Sequence, residues 1–238
     1  VLKAPAGATV VTPQTTILKE SGLTVEQVSA ALGMPAGVDI LTFNPFAAGV
    51  DAETALEVEK LAQQVTTTIK AISSAAEGVG ASKEDSMELA LKSVTDLIKV
   101  KVDAGTEQTV DFTDGTDLDS ILQNAQANIE NTSGADPASF TSLSVSISSA
   151  VKNVNDTIES VTELTSEDAK ATFGLVNDLS EQAKTAAESD GDTSKLTLTD
   201  TSTVAALVEE NKDTSTDAGS DPNTDTSTDT STDTGSSD

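Results

Sequence analysis

Arginine, histidine, cysteine, tryptophan and tyrosine are all absent from this 238-residue chain, and five phenylalanines are its only aromatic residues. Without histidine, no side chain has an ordinary pKa near neutrality to act as general base. Without cysteine there is no thiol nucleophile, no disulfide and no soft metal ligand, and without arginine there is no bidentate clamp for phosphate. Any catalysis would have to be built from Ser, Thr, Lys, Asp and Glu. The missing cysteines do not by themselves fix a compartment.

Positive charge is also scarce: 13 lysines stand against 40 acids, a formal charge of −27. Nucleic acid and anionic membranes are held by clustered cations, so this field repels both and sets them aside as partners. No apolar run reaches the roughly 18 to 20 residues a spanning helix needs. The first residues show neither an initiator Met nor a charged stretch followed by an apolar one, and the chain reads as a piece of a longer protein.

The acidity is uneven. Residues 1–101 carry 12 acids and 8 lysines, residues 102–212 carry 21 and 5, and residues 213–238 carry 7 and none. Such a gradient suits a solvated exterior in a medium where salt or divalent ions screen self-repulsion. From Asp213 the chain repeats DTST-like tetrads with an aspartate at every fourth position to Asp233. With almost nothing apolar to offset the entropy of ordering, residues 213–238 read as a disordered acidic linker.

Ahead of the linker, helix punctuation recurs. Thr12-Pro13 pairs an N-cap with proline at the first helical position, and Gly22 is the stop. TVEQ, residues 24–27, is a capping box, with Gly33 closing the second short helix. A turn-rich link then leads to Asp51 and a long helix carrying Val58, Leu61, Val65, Ile69 and Ile72, ended by Gly78 and Gly80. SKED, from Ser82, opens its partner, which carries Met87, Leu91, Val94 and Ile98 on one face; the short connection makes the two an antiparallel hairpin. Asp136-Pro137 opens a third long helix with Phe140, Ile147, Val154 and Val161 seven apart. SLSVSISS within it alternates as a strand would, but the helical spacing runs on to Leu164 and decides for helix. A fourth long helix from Ser166 turns Phe173, Val176 and Leu179 inward.

The stretch VDFTDGTDLDSIL, residues 110–122, sets Asp111, Asp114, Asp117 and Asp119 around a glycine and raises the question of a calcium loop. A shift of 86 residues lays it on LTLTDTSTVAALV and carries Asp114 onto Asp200. The same shift carries Leu61 onto Ile147, Val65 onto Val151, Ile72 onto Ile158 and Met87 onto Phe173, the pattern of an old internal duplication. In the second copy Asp111, Asp117 and Asp119 become Thr197, Thr203 and Ala205. Only Asp114 persists, which is what an N-cap reaching the backbone N–H groups near 116 and 117 requires. The stretch also departs from the EF-hand order D-x-D-x-D-G. The cap reading is preferred, with calcium in the first copy as the alternative. The extended residues before Asp114 are expected to cross and close the helical hairpin.

Other constellations are thin. Ser149 and Lys152 satisfy S-x-x-K, but the companion S-D-N and K-T-G elements are missing, and Lys152 reads as a solvent-facing helix residue. The carboxylate pairs Glu57/Glu59 and Asp190/Asp192 read as surface charge, because neighbours two apart on a helix diverge. Phe43, Phe46, Phe140 and Phe173 read as core fillers. No catalytic, cofactor or metal residue is assigned.

The run from Leu2 to Phe46 contains T-P-x-T-T at 12–16, G-L-x-x-E at 22–26 and L-G-x-P with D-x-x-T-F-N-P at 32–45. It resembles a helical module of very large bacterial surface and secreted repeat proteins, well over residues 2–76 and loosely beyond; VDFTD and LTLTD resemble a later element of the same region. Gln14 stands where that pattern usually has leucine. The resemblance implies adhesin-like parents in which such modules adjoin cadherin-like, bacterial Ig-like or RTX-type calcium-binding repeats, and it carries no catalytic residues.

The expectation is therefore an all-α helical bundle. Residues 1–50 supply an extended start and a short helix pair, residues 51–135 a helical unit, and residues 136–212 its degenerate repeat, with the linker at 213–238. The expected role is a non-enzymatic spacer of an exported bacterial cell-surface protein, with neighbouring extracellular repeats of the same chain as partners and no cofactor. The alternatives are a helical module binding a peptide, small ligand or calcium, or an accessory segment of a secreted hydrolase.

Overall fold

The computed structural model describes residues 2–105 and 108–217, the last five as backbone only. Among the described residues the chain is all helical: α1 (Pro13–Ser21), α2 (Val25–Ala31), α3 (Ala52–Gly78), α4 (Lys83–Asp103), α5 (Gly115–Ile129), α6 (Pro137–Glu159), α7 (Glu167–Glu188) and α8 (Thr201–Asp217), with two 3-10 turns at Thr193–Lys195 and Thr197–Thr199. None is long and apolar enough to cross a membrane.

The starts follow the punctuation. Thr12, Thr24, Asp51, Ser82, Asp114, Asp136 and Ser166 each accept a backbone N–H of the first turn that follows, satisfying donors the helix leaves free. SLSVSISS lies wholly inside α6, where Leu143, Ile147, Ala150, Val151, Val154 and Ile158 are fully buried. The alternation is incidental to a stripe that repeats by three and four.

The packing of the two expected units corresponds. α3 pairs with α4 as α6 pairs with α7, and α5 lies on α4 as α8 lies on α7. Val110 and Leu196, Phe112 and Leu198, and Leu118 and Val204 are buried in matching places, and the 86-residue shift carries the first residue of α5 onto the first of α8. The copies differ at the crossing piece. Residues 110–113 pass as an irregular segment, whereas Thr197–Thr199 are coiled into a 3-10 turn. They also differ at the end: Leu207 and Val208 are only half-buried, while their counterparts Ile121 and Leu122 are sealed, because α6 covers α5 and no described helix takes that place over α8.

The two units are joined most extensively where α3 packs along α7. Gly78 permits the approach: a Cβ on it would lie 2.6 Å from both Ala187 Cβ and Lys184 O. Further along, Ser74 Oγ and Ser180 Oγ are 2.6 Å apart and Lys70 Nζ donates to Asn177 Oδ1 at 3.0 Å. A second junction sits between the interhelical turns. Gly80, at φ 104, presses on Gly134, and Asp136 N–H donates to Val79 O at 2.8 Å. Gly78 and Gly80 were expected only as helix stops; they also let neighbouring backbone come close. One core cluster results, running from Ile17 on α1 to Val204 on α8. Each fully buried Ile or Leu in it contributes on the order of 2 kcal/mol.

The first residues of the expected linker fall within α8. α8 continues through Asp213 to Asp217, since extending a formed helix costs far less than starting one. The rest of the acidic repeat, 218–238, lies outside the described residues.

Candidate functional site

The four aspartates of the glycine turn face four different tasks. Asp111 Oδ1 accepts Thr113 N–H at 2.8 Å and the Thr113 hydroxyl at 2.6 Å, closing a local turn. Asp114 Oδ1 accepts Thr116 N–H at 2.8 Å and Asp117 N–H at 3.1 Å, the capping expected of it. The Asp117 bond, more than any other influence, holds the Asp114 carboxyl below its ordinary pKa. Asp117 is buried, pairs with Lys101 Nζ at 2.7 Å and accepts Asp111 N–H at 2.9 Å. Asp119 accepts the Ser148 hydroxyl at 2.7 Å and so ties α5 to α6. These carboxylates diverge, each onto a protein donor. Among the described residues no group of three or more acidic side chains is placed to hold a metal ion. Asp200 repeats the Asp114 geometry, taking Ser202 N–H at 2.8 Å on Oδ1.

Ser149 and Lys152 do not engage each other. The Ser149 hydroxyl donates to Val145 O at 3.0 Å and Lys152 Nζ pairs with Asp156 at 2.7 Å, so no base faces the hydroxyl. Asp190 and Asp192 are exposed, and Asp192 caps the 3-10 turn at Thr193. Glu57 is exposed as expected.

Glu59 is not simple surface charge. It is half-buried on α3, where desolvation pushes its carboxyl above the ordinary pKa against the opposing hydrogen bond from Gln63 Nε2, 2.8 Å from Oε1. It lines a cleft of about 240 Å³ between α3, the start of α1 and the link after α2, walled by Val11, Met34, Ile40, Phe43, Val58 and Ala62. Gln14, from the first turn of α1, lines the same cleft; it is 2% exposed and its Nε2 has no hydrogen-bond partner among the described residues.

Local chemistry builds these walls. The hydroxyls of Thr15 and Thr16 donate to Lys3 O at 3.3 and 3.0 Å, and Lys3 N–H returns a bond to Thr16 Oγ1 at 2.9 Å, which fixes the leading segment and Leu2 beside the cleft. Thr9 N–H donates to Leu41 O at 2.8 Å, and Asp39 accepts Leu41 N–H at 2.9 Å, fixing the link. The run PQTT opens the helix expected from Thr12-Pro13 and contains no large apolar side chain, yet in the structure Gln14, Thr15 and Thr16 are buried. The threonines spend their hydroxyls on backbone, and the glutamine is left over. That surplus is visible only once the fold brings the leading segment across the helix.

The phenylalanines divide. Phe140 fills the core and Phe173 packs half-buried against it, while Phe43 is a cleft wall. Phe46 is not a core filler: it stands 66% exposed beside the cleft residue Pro45, because the link turns at Asn44, whose Oδ1 accepts Phe46 N–H at 3.0 Å. No family model, curated protein or solved structure matches this chain.

Proposed function

We propose that this chain is a non-enzymatic structural module of an exported bacterial surface protein, a stiff acidic spacer that holds neighbouring extracellular repeats of a longer chain apart. The observation that carries the reading is the uninterrupted core from Ile17 to Val204, which makes two degenerate units into one mechanical body. The distribution of charge agrees with it: three aspartates and two serines cap the helices α3 to α7, leaving a hydrated exterior that repels its like. The resemblance of residues 2–76 to modules of large surface proteins supplies the setting.

The test is force spectroscopy on the chain held between two reference domains of known signature. A spacer of this construction extends in one cooperative step. Gradual lengthening at low force contradicts the role. Surface proteolysis of intact source cells checks the location: peptides from this chain are released if it is displayed outside, and none if it is not.

A further inference from the structure

Beyond that mechanical role, we propose that the cleft between α1 and α3 binds a primary ammonium set beside a carbonyl on an apolar side chain, the chemistry shared by the amino-terminal residue of an apolar peptide and a free aminoacyl amide. Three observations converge there. Among the described residues Glu59 is the only charged side chain lining the cleft, and its Oε2 makes no hydrogen bond to any of them; the next residue, Lys60, is turned away, with Nζ 2.6 Å from Glu159 O. An apolar pocket whose one charge is a carboxylate selects a cation and rejects a free carboxylate. Burial lifts the Glu59 pKa in the cleft, and an ammonium placed opposite it reverses that cost.

Gln14 supplies the second requirement. Its side chain lines the cleft almost wholly buried, and its Nε2 has no hydrogen-bond partner among the described residues, a cost the fold recovers when the amide turns toward the cleft and a ligand carbonyl accepts from it. The third is shape. A cleft of about 240 Å³, walled by Met34, Ile40, Phe43 and Val58, has room for one residue-sized group and little more. Around it Leu2, Val11 and Phe46 are 50%, 58% and 66% exposed, an apolar rim along which a longer chain can leave.

The experiment titrates the full chain with L-leucinamide and with the amide of the peptide Leu-Ala-Ala-Ala, followed by amide chemical shifts and calorimetry. N-acetyl-leucinamide, which lacks the ammonium, is the control. Saturable shifts at Met34, Phe43 and Glu59 are expected with leucinamide and none with the acetylated control. Equal binding of the tetrapeptide assigns the site to peptide ends, and its failure beside leucinamide assigns it to free amides. Glu59→Gln is expected to weaken leucinamide binding about tenfold or more, and Gln14→Leu to weaken it while urea melts confirm that both variants fold. Absence of saturable shifts overturns the proposal, as does equal binding of the acetylated control. Because that control is run on the unaltered chain, a misfolded variant leaves the outcome intact, and cleft binding can fail while the mechanical role stands.

Discussion

Ala187 leaves no room for a side chain on Gly78: a Cβ built there lies 2.6 Å from the alanine's own Cβ, and α3 and α7 can touch along their length only because residue 78 has none. That approach joins the two copies of the repeat. Gly78→Ala is therefore predicted to cost about 2 kcal/mol through overpacking, despite alanine's better helix propensity. Gly115→Ala is the control, since nothing lies within 4 Å of its Cβ position. Urea denaturation should show a lowered midpoint for the first and an unchanged or raised one for the second.

Asp117 is paired with Lys101 in a partly buried site and also holds Asp111 N–H. Asp117→Ala strands both partners and is expected to destabilise by about 3 kcal/mol. If the turn is a cap and a salt bridge, calorimetric titration with calcium gives the same trace for the parent and this variant. Micromolar binding in the parent, lost in the variant, contradicts the account.

Asn155 is fully buried on α6 and donates from Nδ2 to Phe112 O at 2.7 Å, fixing the crossing segment of the first unit from a helix of the second. Asn155→Leu leaves that carbonyl unpaired and should cost about 1 to 3 kcal/mol. Hydrogen exchange should quicken at residues 110–113 first. Uniform quickening across the chain contradicts this local role.

Asp51, Asp114, Asp136, Asp192 and Asp200 all have carboxyls held below the ordinary aspartate value of 3.8 by hydrogen bonds from the turns they cap. A group depressed on folding stabilises the fold above its unfolded pKa, and that contribution is lost as pH falls through the lower folded value. Glu59 has the opposite sign: raised on folding, it favours the fold once protonated and opposes it when ionised. Asp114→Ala should therefore lower Tm by a few degrees at pH 7, with the gap to the parent narrowing below pH 3.8 and vanishing once Asp114 is protonated. Parallel Tm curves down to pH 2 contradict the assignment.

The helices were legible because their ends and buried stripes are local in sequence. Asp114 and Asp200 announce their caps through a side chain acting two or three residues away, and Ile147 to Ile158 repeat at the helical period across a misleading alternation. What was not legible depends on distant chain. Gly78 looks like a helix stop until Ala187 arrives against it. Gln14 and Glu59 look like solvated polar residues until the leading segment and the link fold over them, and Phe46 looks like core until the turn at Asn44 points it outward. The overlap of α8 with the first residues of the acidic repeat has a related reason: composition describes what a segment can bury, and α8 needs nothing more to bury in order to run a few residues further.

The claim on which the rest depends is that two copies of one helical unit share a single core through α3 and α7. Differential scanning calorimetry of the full chain tests it most directly. One transition with equal calorimetric and van't Hoff enthalpies is predicted. Two resolved transitions, or a calorimetric enthalpy near twice the van't Hoff value, would show the units melting independently and contradict it.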